Sequence, residues 1–167
     1  MEQQLPDRKF IRWYGFDYTN ARDYFITIVV HERLNLLGYI QDGIMILNDA
    51  GKMIDNIIHG IPQRYPNSEI ICYVIMPNHI HFILRNIGEH YLPEMMRWFK
   101  SVTTVKYIQG VKEQDWQPFN KTFWQRNYYD HVIRTQKSFD YIVNYTEVSQ
   151  VKYGVSLLNY FIQQKRF

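Results

Sequence analysis

Three observations in the sequence predict an α+β fold. β-Branched and aromatic runs at Tyr24–Val30, Glu69–Met76 and His79–Arg85 have the composition of strands. Pro77-Asn78, between the last two, is a tight-turn signal that makes them a hairpin. Apolar residues at helical spacing separate the first strand from this hairpin and recur after it. Strand, helix, strand, hairpin strand, helix outlines a ferredoxin-like antiparallel sheet with helices packed on it, in one domain over residues 1–167.

The first strand follows polar Asn20–Asp23. Ile46, Leu47, Ala50, Met53, Ile54, Ile57, Ile58 and Ile61 then mark a helix with one face on the sheet, ending near Gly60 and Pro62. Pro66-Asn67 turns the chain into the hairpin. A second helix is expected from Leu92 to Gln109, with Met96, Phe99, Val102, Val105 and Ile108 inward, Arg97, Lys100 and Lys106 outward, and Gly110 as its stop. Lys112–Asn120 reads as a loop and Phe123–Arg134 as mixed. A last helix is expected from Ser138, as N-cap, to about Tyr153, with Phe139, Ile142, Val143 and Val148 packing inward.

At 46% hydrophobic residues with charges of both signs interspersed, disorder is excluded. The one cysteine, Cys72, lies in an apolar run, so neither a disulfide framework nor a thiolate metal cage can be built, which suits a reducing compartment. Met1–Lys9 is polar and no apolar run approaches the ~20 residues a membrane span needs, so the expectation is a soluble, cytoplasmic protein that does not meet a membrane. The net charge of +3 permits a phosphate-bearing partner without demanding one. Fourteen Tyr, ten Phe and four Trp are unusually many, and since aromatics fill the core first, only some of them can be left for stacking on bases.

The sharpest local feature is His79-Ile80-His81. Strand alternation puts both imidazoles on one face and Ile80 on the other. Two neutral imidazoles suit a divalent cation, need a third protein donor, and leave positions open for a phosphate oxygen. The chain has no Gly-X-Ser-X-Gly elbow and no Walker-type loop. A tyrosine is therefore the leading nucleophile: a phenol held in line can attack a phosphodiester and form a phosphotyrosine that a later hydroxyl reverses. Composition does not select which one, and Tyr24, Tyr73 and Tyr107 are expected in or over the core.

Taken together, Tyr73-Val-Ile-Met-Pro-Asn-His-Ile-His-Phe-Ile-Leu84 resembles the histidine-hydrophobic-histidine strand of REP-associated tyrosine transposases, relatives of the insertion-sequence single-strand transposases. Arg8-Lys-Phe-Ile-Arg-Trp-Tyr-Gly-Phe-Asp-Tyr18, Tyr24-Phe-Ile-Thr-Ile28 and Phe123-Trp-Gln-Arg-Asn-Tyr-Tyr-Asp-His-Val-Ile-Arg134 agree in the same order, so the resemblance covers residues 8 to about 154.

The resemblance implies a metal-dependent DNA nuclease and strand transferase acting on single-stranded or hairpin DNA through a 5′-phosphotyrosine intermediate, as one chain or a homodimer. It places the nucleophile at Tyr145, with Tyr141 one turn earlier as second choice, and implies Mg2+ or Mn2+ on His79, His81 and a side chain one turn beyond the tyrosine, here Ser149. The family reads Tyr-Ile-X-X-Asn-Pro where this chain reads Tyr145-Thr-Glu-Val-Ser-Gln150, and a serine hydroxyl is a weaker, shorter donor to a hard cation. Gln150 or Glu147 would be substitutes. Asp130-His131 and Arg134 fall near the site in the resemblance, and Arg12, Arg126, Arg134, His131 and Lys100 are the expected DNA contacts, within a scattered basic set that also includes Arg8, Lys9, Arg97, Lys106, Lys121 and Lys137. Trp13, Trp98, Trp116 and Tyr128 are candidates to stack on bases. Two other readings stand beside this one: a catalytically degenerate DNA hairpin-binding protein, and a metal-dependent hydrolase of small phosphoesters.

Overall fold

A computed structural model describes residues 22–88 and 90–151, the side chains of 147–151 excepted. The elements are β1 (Arg22–Val29), β2 (Gly38–Gln41), β3 (Ile44–Leu47), α1 (Asp49–Arg64), β4 (Ser68–Met76), β5 (His79–Asn86), α2 (Leu92–Glu113), β6 (Tyr129–Ile133) and α3 (Gln136–Val151), with a 3-10 turn at His31–Arg33. The main sheet has the order β4-β5-β1-β6 and is antiparallel throughout. This is the α+β, ferredoxin-like arrangement the sequence predicts.

Strand alternation divides the side chains into two layers. Tyr24, Ile26 and Ile28 of β1 and Ile80, Phe82 and Leu84 of β5 face α1 and α2, and with Ile54, Ile58, Met96 and Phe99 they form the larger core. Phe25 and Ile83 face the other way and pack under Ile142 of α3. The site residues on odd-numbered positions of β5 therefore lie on the α3 side.

Several expectations change. Ile46 and Leu47 belong to β3, not to a helix: β2 and β3 form a separate hairpin about Asp42 (φ 51°) and Gly43 (φ 78°), the positive-φ pair that an Asp-Gly turn provides. Apolar residues there fit either period, and the helix starts only after Asn48, whose Oδ1 accepts from the Gly51 N–H at 2.8 Å. α1 also continues through Pro62 to Arg64. In α2, Val105 is 63% exposed, because the buried stripe steps through Met96, Phe99, Thr103, Tyr107 and Gly110 at the true helical period instead of every third residue. α2 runs on past Gly110 to Glu113. α3 starts at Gln136, and Thr135 takes the capping role expected of Ser138: its Oγ1 accepts from the Ser138 N–H at 3.2 Å. Among the described residues no helix is long and apolar enough to cross a membrane.

Candidate functional site

The site begins at the Met76-Pro77-Asn78-His79 turn, where Met76 pairs with His79 and β5 sets off beside both β4 and β1. His79 and His81 point to the α3 side, with ring centroids 4.7 Å apart and planes at 73°. His81 is 2% exposed, stacks on Phe25 at 5.3 Å, and lies opposite Thr27 in the β1 register. Thr27 Oγ1 is 2.7 Å from His81 Nδ1, and Asn78 Oδ1 is 2.7 Å from His79 Nδ1. His81 Nε2 is buried with no hydrogen-bond partner among the described residues.

Burial sets the charge of both rings. It pushes the His79 pKa down to about 4, with the Arg33 cation adding to the effect. Burial, then the neighbouring His79, holds His81 well below the ordinary imidazole range. Both are neutral near pH 7, the form that offers a lone pair to a metal. A divalent ion fits this donor set, since two neutral imidazoles lie side by side and one presents a buried nitrogen with no hydrogen-bond partner among the described residues. Among the described residues no group of three or more His, Cys, Asp or Glu is assembled, so a third donor of those types does not come from them.

Tyr145 lies on α3 and packs against the small core of Phe25, Ile83 and Ile142, on the same side of the sheet as His81. Tyr141, one turn earlier, is 48% exposed. Tyr24 and Tyr107 are core residues, and Tyr73 donates to Asp55 of α1 at 2.6 Å, on the opposite side of the sheet. Ser149 falls on α3, but its side chain lies outside the described residues, as do those of Glu147 and Gln150.

The expected DNA contacts divide by position. The loop after Trp124 joins the end of β1 that pairs with His79: the Gln125 N–H donates to the Val29 carbonyl at 2.9 Å, and Lys100 reaches from α2 to the Gln125 and Arg126 carbonyls at 2.7 and 2.9 Å. Arg126 is exposed on that loop. Lys100 thus holds the loop with two of its three N–H donors. His131 is opposite Phe25 on the α3 side, whereas Asp130 is buried and opposite Ile26 on the other. Arg134 follows the end of β6 that pairs with Asp23, the far end of the sheet from His79. Arg12 and Trp13 lie outside the described residues.

Sequence reasoning missed Thr27, Tyr129 and Arg33. Tyr129 is opposite Thr27 on the α3 side, its phenol pushed up to about 12 by burial and then by Asp130. Arg33 follows Glu32 in the left-handed region (φ 54° and 56°) and its charge acts on His79. Consecutive left-handed non-glycine residues are strained, and such strain gathers at functional sites, but no sequence signal marks Glu-Arg as the place.

A family model described as transposase, IS200-like, matches residues 44–149. An uncharacterized protein of Haemophilus influenzae is 34% identical over 158 residues, covering 86% of this chain and 88% of that one. A second protein of that organism, provisionally named a REP-associated tyrosine transposase, is 26% identical over 151 residues, 84% of this chain and 77% of its own. Among solved structures, a REP-associated tyrosine transposase bound to a REP hairpin is similar in fold, with a TM-score of 0.62 at 22% identity over 87% of this chain and 76% of that one. A provisionally assigned transposase of Deinococcus radiodurans is similar with a TM-score of 0.52 at 16% identity, over 85% and 98% of the two chains.

Proposed function

Because this chain belongs to the family of IS200-like transposases, we propose that it nicks and rejoins single-stranded DNA beside a hairpin, with Tyr145 as its nucleophile. The observation that carries the reading is two neutral imidazoles side by side, one with a buried, unpartnered nitrogen, on the sheet face that the Tyr145 helix covers. The solved structure of similar fold that is bound to a REP hairpin supports hairpin-bearing DNA as the substrate.

Helix and strand rises support the choice of tyrosine. Phe139 lies beneath Arg85, 5.8 Å from guanidinium carbon to ring centroid. Tyr145 is about 9 Å further along α3 at ~1.5 Å per residue. β5 covers about 13 Å from Arg85 to His81 at ~3.3 Å per residue. These rises agree with Tyr145 packing against the cluster of Phe25 and Ile83, the neighbours of His81 on β1 and β5.

His79 and His81 would hold a divalent ion, Mg2+ or Mn2+, with Ser149 as third ligand. When bound, such an ion supplies charge withdrawal from the scissile phosphate. Tyr145 attacks phosphorus, so a phenol O–P bond forms, the P–O3′ bond breaks, the phenol proton is released, and the departing strand takes one up as its 3′-hydroxyl. The 5′-phosphate stays on the tyrosine until a strand hydroxyl reverses the step. The covalent link conserves the phosphodiester energy, and no nucleoside triphosphate is consumed.

Incubation of the protein with a hairpin-bearing oligonucleotide and Mn2+, resolved on denaturing gels, is expected to give a covalent adduct that Tyr145→Phe abolishes. An adduct that survives this change moves the role to Tyr141 or Tyr129. Oligonucleotide cleavage without adduct in the wild type points instead to a water nucleophile. The Ser149-Gln150 replacement of Asn-Pro favours one second reading, a hairpin-binding protein without turnover. Salt-dependent hairpin binding with no adduct in any divalent ion would establish it.

A further inference from the structure

We propose that Asn78 and Thr27 are positioning residues that fix His79 and His81 in the tautomer with hydrogen on Nδ1, leaving both Nε2 lone pairs bare and side by side. The inference deepens the reading of this histidine pair as a cation site and rests on it for its purpose, though not for its chemistry.

The Asn78 side chain is held at both ends. Its Nδ2 donates to the Arg33 carbonyl at 3.2 Å, which turns Oδ1 toward His79 Nδ1 at 2.7 Å. An amide oxygen only accepts, so Nδ1 is the donor. A neutral imidazole, the form that can ligate a metal, carries one N–H. The hydrogen on Nδ1 therefore leaves Nε2 without one.

Thr27 acts on His81 from the neighbouring strand, Oγ1 to Nδ1 at 2.7 Å. A hydroxyl can donate or accept, and the other ring nitrogen decides between the two. If Thr27 donated, Nε2 would carry a hydrogen into a buried place with no acceptor among the described residues. If Thr27 accepts, Nε2 is a bare lone pair beside a second imidazole 4.7 Å away, and one cation satisfies both rings. Histidines that ligate metals usually give their other N–H to an acceptor of this kind, which orients the ring and raises its basicity. The two acceptors come from unlike places: a turn residue next to its histidine, and a strand residue 54 positions away.

The test uses the full chain, 15N-labelled and freed of metal with a chelator. Long-range 1H–15N correlations of the imidazoles are expected to show a protonated Nδ1 and a pyridine-type Nε2 on both rings. A protonated Nε2 on either overturns the assignment for that ring. Thr27→Val is expected to move His81 toward the Nε2–H form and to weaken Mn2+ binding, read by calorimetry, roughly 10–100-fold, with Thr27→Ser restoring both. Unchanged tautomer populations in a folded Thr27→Val protein would overturn the role of Thr27. Should the wild type show both tautomers as proposed yet bind no Mn2+, the assignment stands and the cation-site reading falls.

Discussion

His79 is 9% exposed at the start of β5, and burial with the Arg33 charge lowers its pKa from 6.5 to about 4. The unfolded chain therefore takes up a proton that the folded chain refuses. Stability is full above about pH 6.5 and is lost as the pH falls toward 4. Between about pH 7 and about pH 5, His79 alone is expected to cost the metal-free protein about 2 kcal/mol. His81, lowered by burial and by His79, adds in the same direction. Urea denaturation at the two pH values measures the loss, and His79→Asn, which cannot take up the proton, is expected to show a shallower dependence. Equal dependence in the two proteins would mean that His79 is not the group responsible. At this scale His79 and His81 were legible, because His-X-His in a strand puts both rings on one face whatever surrounds them. Thr27 was not, since only the β1–β5 register brings it to His81.

The helices show how far periodicity reaches. α2 was expected to stop at Gly110, yet this glycine lies inside it because the Trp116 indole packs against its Cα: an added Cβ would meet Trp116 Cδ2 and Cε3 at 2.3 Å. Trp116 is itself held against Tyr107, with ring centroids 5.3 Å apart. Gly110→Ala tests which effect wins. Helix propensity favours alanine by about 1 kcal/mol, whereas overpacking the indole contact costs about 1–3 kcal/mol. A net loss of roughly 1 kcal/mol is expected in chemical denaturation, and a more stable variant would show that Trp116 moves aside freely. The β2–β3 hairpin was hidden for a related reason: Ile44, Ile46 and Leu47 suit either period, and the Asp42-Gly43 turn, the signal that separates the two, was missed.

Across the whole molecule, the antiparallel sheet sorts the basic residues by end. Arg126, on the loop that Lys100 ties down, shares the end of β1 where Val29 pairs with His79, whereas Arg134 lies past the Ile133–Asp23 pair. If the strand is cut beside the histidines, Arg126→Ala is expected to weaken hairpin binding and to lower its dependence on log salt by about 1. Arg134→Ala is expected to leave that slope nearly unchanged. Fluorescence anisotropy over a salt series measures both, and the reverse pattern would move the DNA to the opposite end of the sheet.

The succession of the first strand, α1, the β4–β5 hairpin and α2, the shared face of His79 and His81, and the burial of Tyr24 and Tyr107 were determined by the sequence alone, whereas β6 was not, because Phe123–Arg134 reads as mixed. They depend on local periodicity and on the apolar character of neighbours along the chain. The β1 register that brings Thr27 to His81, the acceptance of Trp116 by Gly110, the loop under Lys100 and the packing of Tyr145 beneath the sheet were decided only by tertiary structure. All but the Gly110–Trp116 contact join residues far apart in the chain, and all four arise from strand register and packing, to which local pattern is blind.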